Sequence, residues 1–269
     1  MTFAMGPALL FCPADRPDRY DKAAARADAV ILDLEDAVVP ADKVAAREAL
    51  VAHPLDPATT VVRVNSFETE DFELDLGALA KTEYRTVMLA KATSAAEVEA
   101  LREYDVVALC ETAAGVLAAA SIAAVPHVVA LMWGAEDLIA SIGGTSSRFA
   151  DGSYREVARH ARSAVLLAAA AGETDAIDSV YLDIADLDGL GREAEDAVAS
   201  GFAATACIHP SQVDVIRRAY APTGPELDAA RAILAAAQGE RGVFRFDGRM
   251  VDEPVLRHAR SVLARAPRP

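Results

Sequence analysis

The chain has 269 residues, is 53% hydrophobic and 25% charged, and carries a formal net charge of −15. That length suits one large domain or two small ones, since α/β barrels reach about 250 residues as a single domain. The acidic balance argues against nucleic acid or an anionic membrane surface as a partner. It also requires local basic residues wherever an anion is to be bound.

Three cysteines, Cys12, Cys110 and Cys207, lie far apart with no CxxC spacing. This pattern suggests reduced thiols, not a disulfide framework or a zinc site. The start, MTFAMGPALLFCPADRP, has no basic n-region, and no apolar run reaches the roughly 20 residues that span a bilayer. A soluble, cytoplasmic protein is expected.

Eight strand-like runs follow in order: Ala8–Cys12, Ala29–Leu34, Thr60–Asn65, Thr86–Ala90, Val106–Cys110, Val128–Trp133, Ser179–Ile184 and Thr205–Ile208. Helical, alanine-rich patterns lie between most of them: Lys43–Ala52, Ser94–Glu103, Gly115–Ala123, Tyr154–Ala171 and Leu190–Ser200. Apolar strands alternating with amphipathic helices predict a parallel sheet covered on its outside. The first strand is not followed by GxGxxG, so the expected fold is an α/β (β/α)8 barrel forming a single domain over 1–269. After the eighth strand, Pro225–Gln238 reads as a helix, Gly242–Phe246 as an extended piece across the barrel mouth, and Glu253–Arg265 as a last helix. The loop between them, Asp247–Pro254, reads DGRMVDEP, and this tail is either a brace for the barrel or a lid.

Active sites of such barrels sit at the C-terminal ends of the strands. Read that way, strand one gives Cys12, Asp15, Arg16 and Lys22, and strand two gives Asp33, Glu35 and Asp36. Strands three and four give Arg63, Asn65 and Lys91. Strand five gives Glu111, strand six Glu136 and Asp137, strand seven Asp183 and Asp186, and strand eight His209. Glu111 and Asp137 follow consecutive buried strands among small residues, and a hard cation such as magnesium takes one or two carboxylates with waters and substrate. These two are the expected metal ligands. Asp33, Glu35 and Asp36 exceed what capping one helix needs. Arg63, inside VVRVN, is either a buried salt bridge to Asp33 or Glu35 or an anion clamp. Lys91 is a Schiff-base lysine or a charge partner for nearby acids, and Gly143–Arg148 is a phosphate cradle or a turn.

The runs LFCPADRPDRYDKA, VILDLEDAV, VVRVN, ALCETAAG, WGAEDL, CIHPSQ and GRMVDEP span Leu10 to Pro254 in order. Through them the chain resembles the citrate lyase β-subunit-like family of the wider HpcH/HpaI aldolase superfamily, in its stand-alone actinobacterial form. The resemblance implies a (β/α)8 barrel, a homotrimer or dimer of trimers, that binds magnesium and a coenzyme A thioester. It places Glu111 and Asp137 on the metal, with Glu111 also facing the substrate. It sets Arg63 against the substrate's oxygens, and Glu35 and Asp36 beside the metal's waters. Phe11, Arg16 and Lys22 match coenzyme A contacts. Asp252 matches an aspartate that moves a proton in the neighbouring subunit's site, which makes about 243–269 a lid.

The implied reaction is cleavage or formation of a carboxylated 3-hydroxyacyl-CoA (malyl, citramalyl or hydroxymethylglutaryl) through an acetyl-CoA enolate. The partners are then an acyl-CoA and an oxo acid, with Met88, Leu109, Met132 and Trp133 as the expected pocket lining. Two other readings stand beside it: a metal-dependent 2-oxo acid aldolase without coenzyme A, and a non-catalytic coenzyme-A-binding subunit of a larger complex.

Overall fold

The alternating patterns close into a ring in the computed structural model, which describes residues 3, 5–240 and 242–266. The strands are β1 (Ala8–Pro13), β2 (Ala29–Asp33), β3 (Thr60–Val64), β4 (Thr86–Leu89), β5 (Asp105–Cys110), β6 (Val128–Trp133), β7 (Asp175–Asp178) and β8 (Ala204–Cys207). They pair in sequence order and β1 closes on β8, all parallel. This is the expected (β/α)8 barrel. The outer helices are α1 (Tyr20–Arg26), α2 (Lys43–Ala52), α3 (Glu70–Leu79), α4 (Ala95–Glu99), α5 (Ala113–Ala123), α6 (Ala135–Ser141), α7 (Glu156–Ala171), α8 (Leu187–Ser200) and α9 (Pro210–Tyr220).

Alternation fills the interior. Successive strand side chains point to opposite faces, so Leu9, Ile31, Val61, Met88, Val107, Leu109, Met132 and Ile177 meet in one buried cluster. The outward residues lie under the helices, whose starts are capped by side chains that the sequence places there. Thr69, Ser94, Thr112 and Asp186 each accept a backbone N–H from the first turn of α3, α4, α5 and α8.

One strand lies elsewhere than expected. β7 is Asp175–Asp178, and Ser179–Ile184 is the irregular stretch that follows it. Its terminal aspartates look strand-breaking, but each has a distant partner. Asp175 accepts the Phe3 N–H at 2.8 Å. Asp178, 1% exposed, accepts the Trp133 Nε1–H at 2.6 Å and an Arg162 N–H at 2.8 Å.

The chain divides into two compact units, Met1–Ile216 and Arg217–Pro269, the division falling within α9. The second unit has its own small core, where Ala230 of α10 (Gly224–Ala236) meets Ala259 and Val262 of α11 (Glu253–Ala264). It also holds a hairpin, β9 (Phe244–Phe246) against β10 (Arg249–Val251). Part of DGRMVDEP is thus strand, not loop. Asp247 and Gly248 turn it with φ of 45° and 76°, the signature of a tight Asp-Gly hairpin turn.

Candidate active site

The inward rows that fill the core run on into chemistry. Leu109 leads by two residues to Glu111, Ile31 to Asp33, Val61 to Arg63 and Leu9 to Phe11. These last inward positions, with Asp36 and Asp137, line a cleft of about 250 Å³ at the C-terminal end of the barrel. Asp33 and Arg63 are register partners on β2 and β3.

Glu111 is 2% exposed. Two neighbours fix it. On one side the Lys91 backbone N–H donates to its Oε1 at 3.1 Å. On the other stands Gly134, where an added Cβ would lie 2.8 Å from both Cβ and Oε2 of Glu111. Burial, reinforced by the negative charge of Asp137, pushes the Glu111 carboxyl up to about 8 against the pull of Arg63 and Lys91. A buried carboxyl whose charge penalty a second acid raises fits, together with that acid, a hard divalent cation, which would relieve it. Among the described residues no group of three or more His, Cys, Asp or Glu side chains is placed to hold a metal ion by itself, so the pair suits an ion that keeps waters or substrate oxygens on its other positions. Gly134→Ala is expected to lower stability by about 1–3 kcal/mol through this overpacking and to displace Glu111, which thermal melts and a magnesium titration would register.

Two cations face these acids. Arg63 holds Asp33 with both arms of its fork, Nε to Oδ1 at 2.7 Å and Nη2 to Oδ2 at 2.6 Å, and its Nη1 lies 3.1 Å from Glu35. Its guanidinium also stacks 5.0 Å from the Phe11 ring centre and lines the cleft. The buried salt bridge expected of Arg63 is therefore present, to both Asp33 and Glu35. Lys91 Nζ hydrogen-bonds Glu35, donates to Asp36 at 2.9 Å and lies 3.8 Å from Asp137. Burial alone would lower its pKa, but the bonds to Glu35 and Asp36 outweigh burial and hold the amine above the usual lysine range. Lys91 is thus a charge partner and not a Schiff-base amine, which has to be neutral to react. Burial raises Glu35 despite Arg63 and Lys91, whereas at Asp36 burial is overcome by Lys91, which lowers it.

Other expected residues fall outside the cleft. Arg16 and Lys22 are exposed and do not line it, Arg16 lying 3.8 Å from Asp15. Asn65 is turned away, bonding the Leu34 carbonyl and Asp75, and with Lys43 it fixes the loop that carries Glu35. Asp183 and Asp186 cap turns after β7, and His209 bonds Ser211. Arg148 is engaged by Glu193 through two bonds of 2.8 and 3.0 Å, so Gly143–Arg148 is a turn without a free phosphate arm. Met88 sits in the barrel core and Trp133 is turned to Asp178. The apolar wall is instead Leu109, Met132, Val180, Leu182 and Ile208. Ile208 follows β8, while Val180 and Leu182 follow β7 and were obscured by the misplaced seventh strand. Cys12 and Cys110 are buried thiols, pushed by burial up to about 11 and about 12. Asp252 belongs to the second unit, where it caps α11 by accepting the Val255 N–H at 3.3 Å.

A closed (β/α)8 barrel whose strand ends carry buried Glu111 beside half-exposed Asp137, an arginine fork and a lysine has the layout of a metal-assisted enzyme site. The HpcH/HpaI aldolase/citrate lyase family model matches residues 8–210, and the chain belongs to this family of carbon–carbon lyases. It is 60% identical over 98% of its length, and 96% of the other chain, to a citrate lyase subunit beta-like protein of Mycobacterium tuberculosis. It is 34% identical to a (3S)-malyl-CoA thioesterase of Cereibacter sphaeroides, over 96% and 94% of the two chains. The crystal structure of Mycobacterium tuberculosis CitE in complex with magnesium, acetoacetate and coenzyme A superposes with a TM-score of 0.93 at 60% identity, covering 98% of each chain.

Proposed function

We propose that the protein is a magnesium-dependent lyase that cleaves, or in reverse forms, a carboxylated 3-hydroxyacyl-CoA, with acetyl-CoA and an oxo acid as products. The observation that carries the reading is the meeting of Glu111, Asp137 and Arg63 in one apolar-walled cleft. The magnesium, acetoacetate and coenzyme A of the similar CitE structure support it. Glu111 and Asp137 hold the ion. When bound, magnesium supplies Lewis-acid polarisation of the substrate's hydroxyl and carboxylate oxygens. Glu35 and Asp36, pinned by Lys91, order the water beside it.

The 3-hydroxyl gives its proton to the water ordered by Glu35 and Asp36 and becomes the oxo group. The electron pair of the breaking C–C bond passes into the thioester as an enolate and leaves negative charge on the thioester oxygen. Arg63 is held rigidly by Asp33 and presents its remaining N–H groups to that charge, stabilising it most where it is largest, in the transition state. Phe11, Arg16 and Lys22 take the coenzyme A, and the exposed run Arg16, Arg19 and Lys22 gives a −15 chain a local place for its phosphates. Leu109, Met132 and Val180 keep water from the acyl group. A free-acid aldolase needs none of these exposed cations, and a binding subunit needs no proton-transfer acid.

Asp252 delivers the proton to the methyl carbon, reaching the site of a neighbouring copy in a homotrimer or hexamer. Asp252→Asn is expected to lower turnover by about 10²–10⁴-fold with magnesium binding unchanged. Co-expressing it with Glu111→Gln tests the sharing. Mixed assemblies regain about a quarter of wild-type activity if Asp252 serves a neighbour's site, because one site in four then has both groups intact. Two inactive variants that stay inactive together place Asp252 in its own subunit's site.

A further inference from the structure

Lys91 joins the site through two different parts of itself. Its backbone φ is +52°, in the left-handed region, which a residue with a Cβ rarely adopts and only under constraint from its surroundings. The neighbouring chain holds it there. Ala92, next along, is fully buried and donates its N–H to the Leu109 carbonyl at 3.0 Å. The Ala92 carbonyl in turn presses on α5, where a Cβ added at Gly115 would lie 2.3 Å from it. The turn after β4 is thus seated against the one position in α5 that lacks a side chain, and that seat aims the Lys91 N–H at Glu111.

The side chain then runs the other way. Its ammonium reaches Glu35 and Asp36, beyond the end of β2, and lies 3.8 Å from Asp137 in the first turn of α6. Three acids from two separate strand ends surround one cation, and a fourth, Glu111, accepts from the same residue's amide. Arg63 shares Glu35 through Nη1 at 3.1 Å, but its fork is given to Asp33, and the cation beside Asp36 and Asp137 is Lys91.

We infer that Lys91 is a positioning residue that stands in for the divalent cation, keeping the acids of the metal site assembled when the ion is absent. This rests on the assignment of Glu111 and Asp137 as metal ligands. The ammonium compensates Asp137 and its neighbours before the ion arrives, and it remains a fixed positive charge beside the ion afterwards. It therefore preserves the site's shape while weakening the ion's hold.

The test is magnesium binding to metal-stripped enzyme, followed by calorimetry and by melting temperature. Lys91→Gly keeps the left-handed turn without strain and removes the ammonium, while Lys91→Arg keeps the charge. Lys91→Gly is expected to bind magnesium about three- to tenfold more tightly than wild type, a range that allows for solvent screening at this half-exposed group. Its metal-free form should melt lower, with a larger rise on adding magnesium, and Lys91→Arg should follow wild type. Equal or weaker magnesium binding by Lys91→Gly overturns the inference. Failure of the wild-type enzyme itself to bind magnesium overturns the metal assignment, and is seen before any variant is compared.

Discussion

Glu111→Gln is expected to lower magnesium-dependent kcat/KM by about a thousandfold or more, a loss of roughly 4 kcal/mol of transition-state stabilisation. The fold should be unaffected. The amide oxygen of glutamine still accepts the Lys91 N–H, and the side-chain volume is unchanged. Burial and Asp137 push Glu111 up to about 8, so at pH 7 the metal-free site already holds this side chain mostly neutral, and glutamine imitates that form. Metal-free wild type and variant should therefore melt together. Only wild type should gain stability when magnesium is added. A variant that keeps full turnover would remove Glu111 from the metal.

The second large effect is expected at Arg63, where it appears in stability and activity together. Arg63→Ala leaves Asp33, 1% exposed, without the fork that neutralises it. Removing one partner of a buried ion pair costs about 3–5 kcal/mol. The lower end applies here, since Asp33 also accepts the N–H groups of Glu35 and Ala37. Denaturant melts measure that term. Arg63→Lys restores the charge but not the two parallel bonds, so stability should recover in part. Turnover should remain about 10²–10³-fold down. Stability and turnover that recover together in the lysine variant would make Arg63 a purely structural ion pair.

Much of this arrangement was legible in the sequence because a strand's period of two is simple to count. Once Val107 and Leu109 are inward, Glu111 must follow them, and Ile31 and Val61 deliver Asp33 and Arg63 by the same step. Thr112, directly after Glu111, announces the start of α5 and so the strand's end. The seventh strand was not legible, for a physical reason. Asp175 and Asp178 sit in a strand only because Phe3, Trp133 and Arg162 satisfy them from far along the chain, whereas the β-branched and aromatic run after it has the better local propensity. The clamp on Glu111 was hidden in the same way. Nothing in LAKAT shows that Lys91 adopts a positive φ, since that follows from Ala92 meeting Gly115 across two elements. Trp133 leaves the cleft wall because it alternates with inward Met132 on β6, whereas Val180 and Leu182 were hidden by the misplaced strand.

The most direct measurement of the central claim is product release from malyl-, citramalyl- and hydroxymethylglutaryl-CoA, with magnesium and with EDTA. Acetyl-CoA and free coenzyme A would be separated by chromatography. Acetyl-CoA is expected from at least one thioester, with magnesium only. Free coenzyme A with the hydroxy acid intact would mean thioester hydrolysis instead, and acetyl-CoA release that survives EDTA would contradict the role given to Glu111 and Asp137.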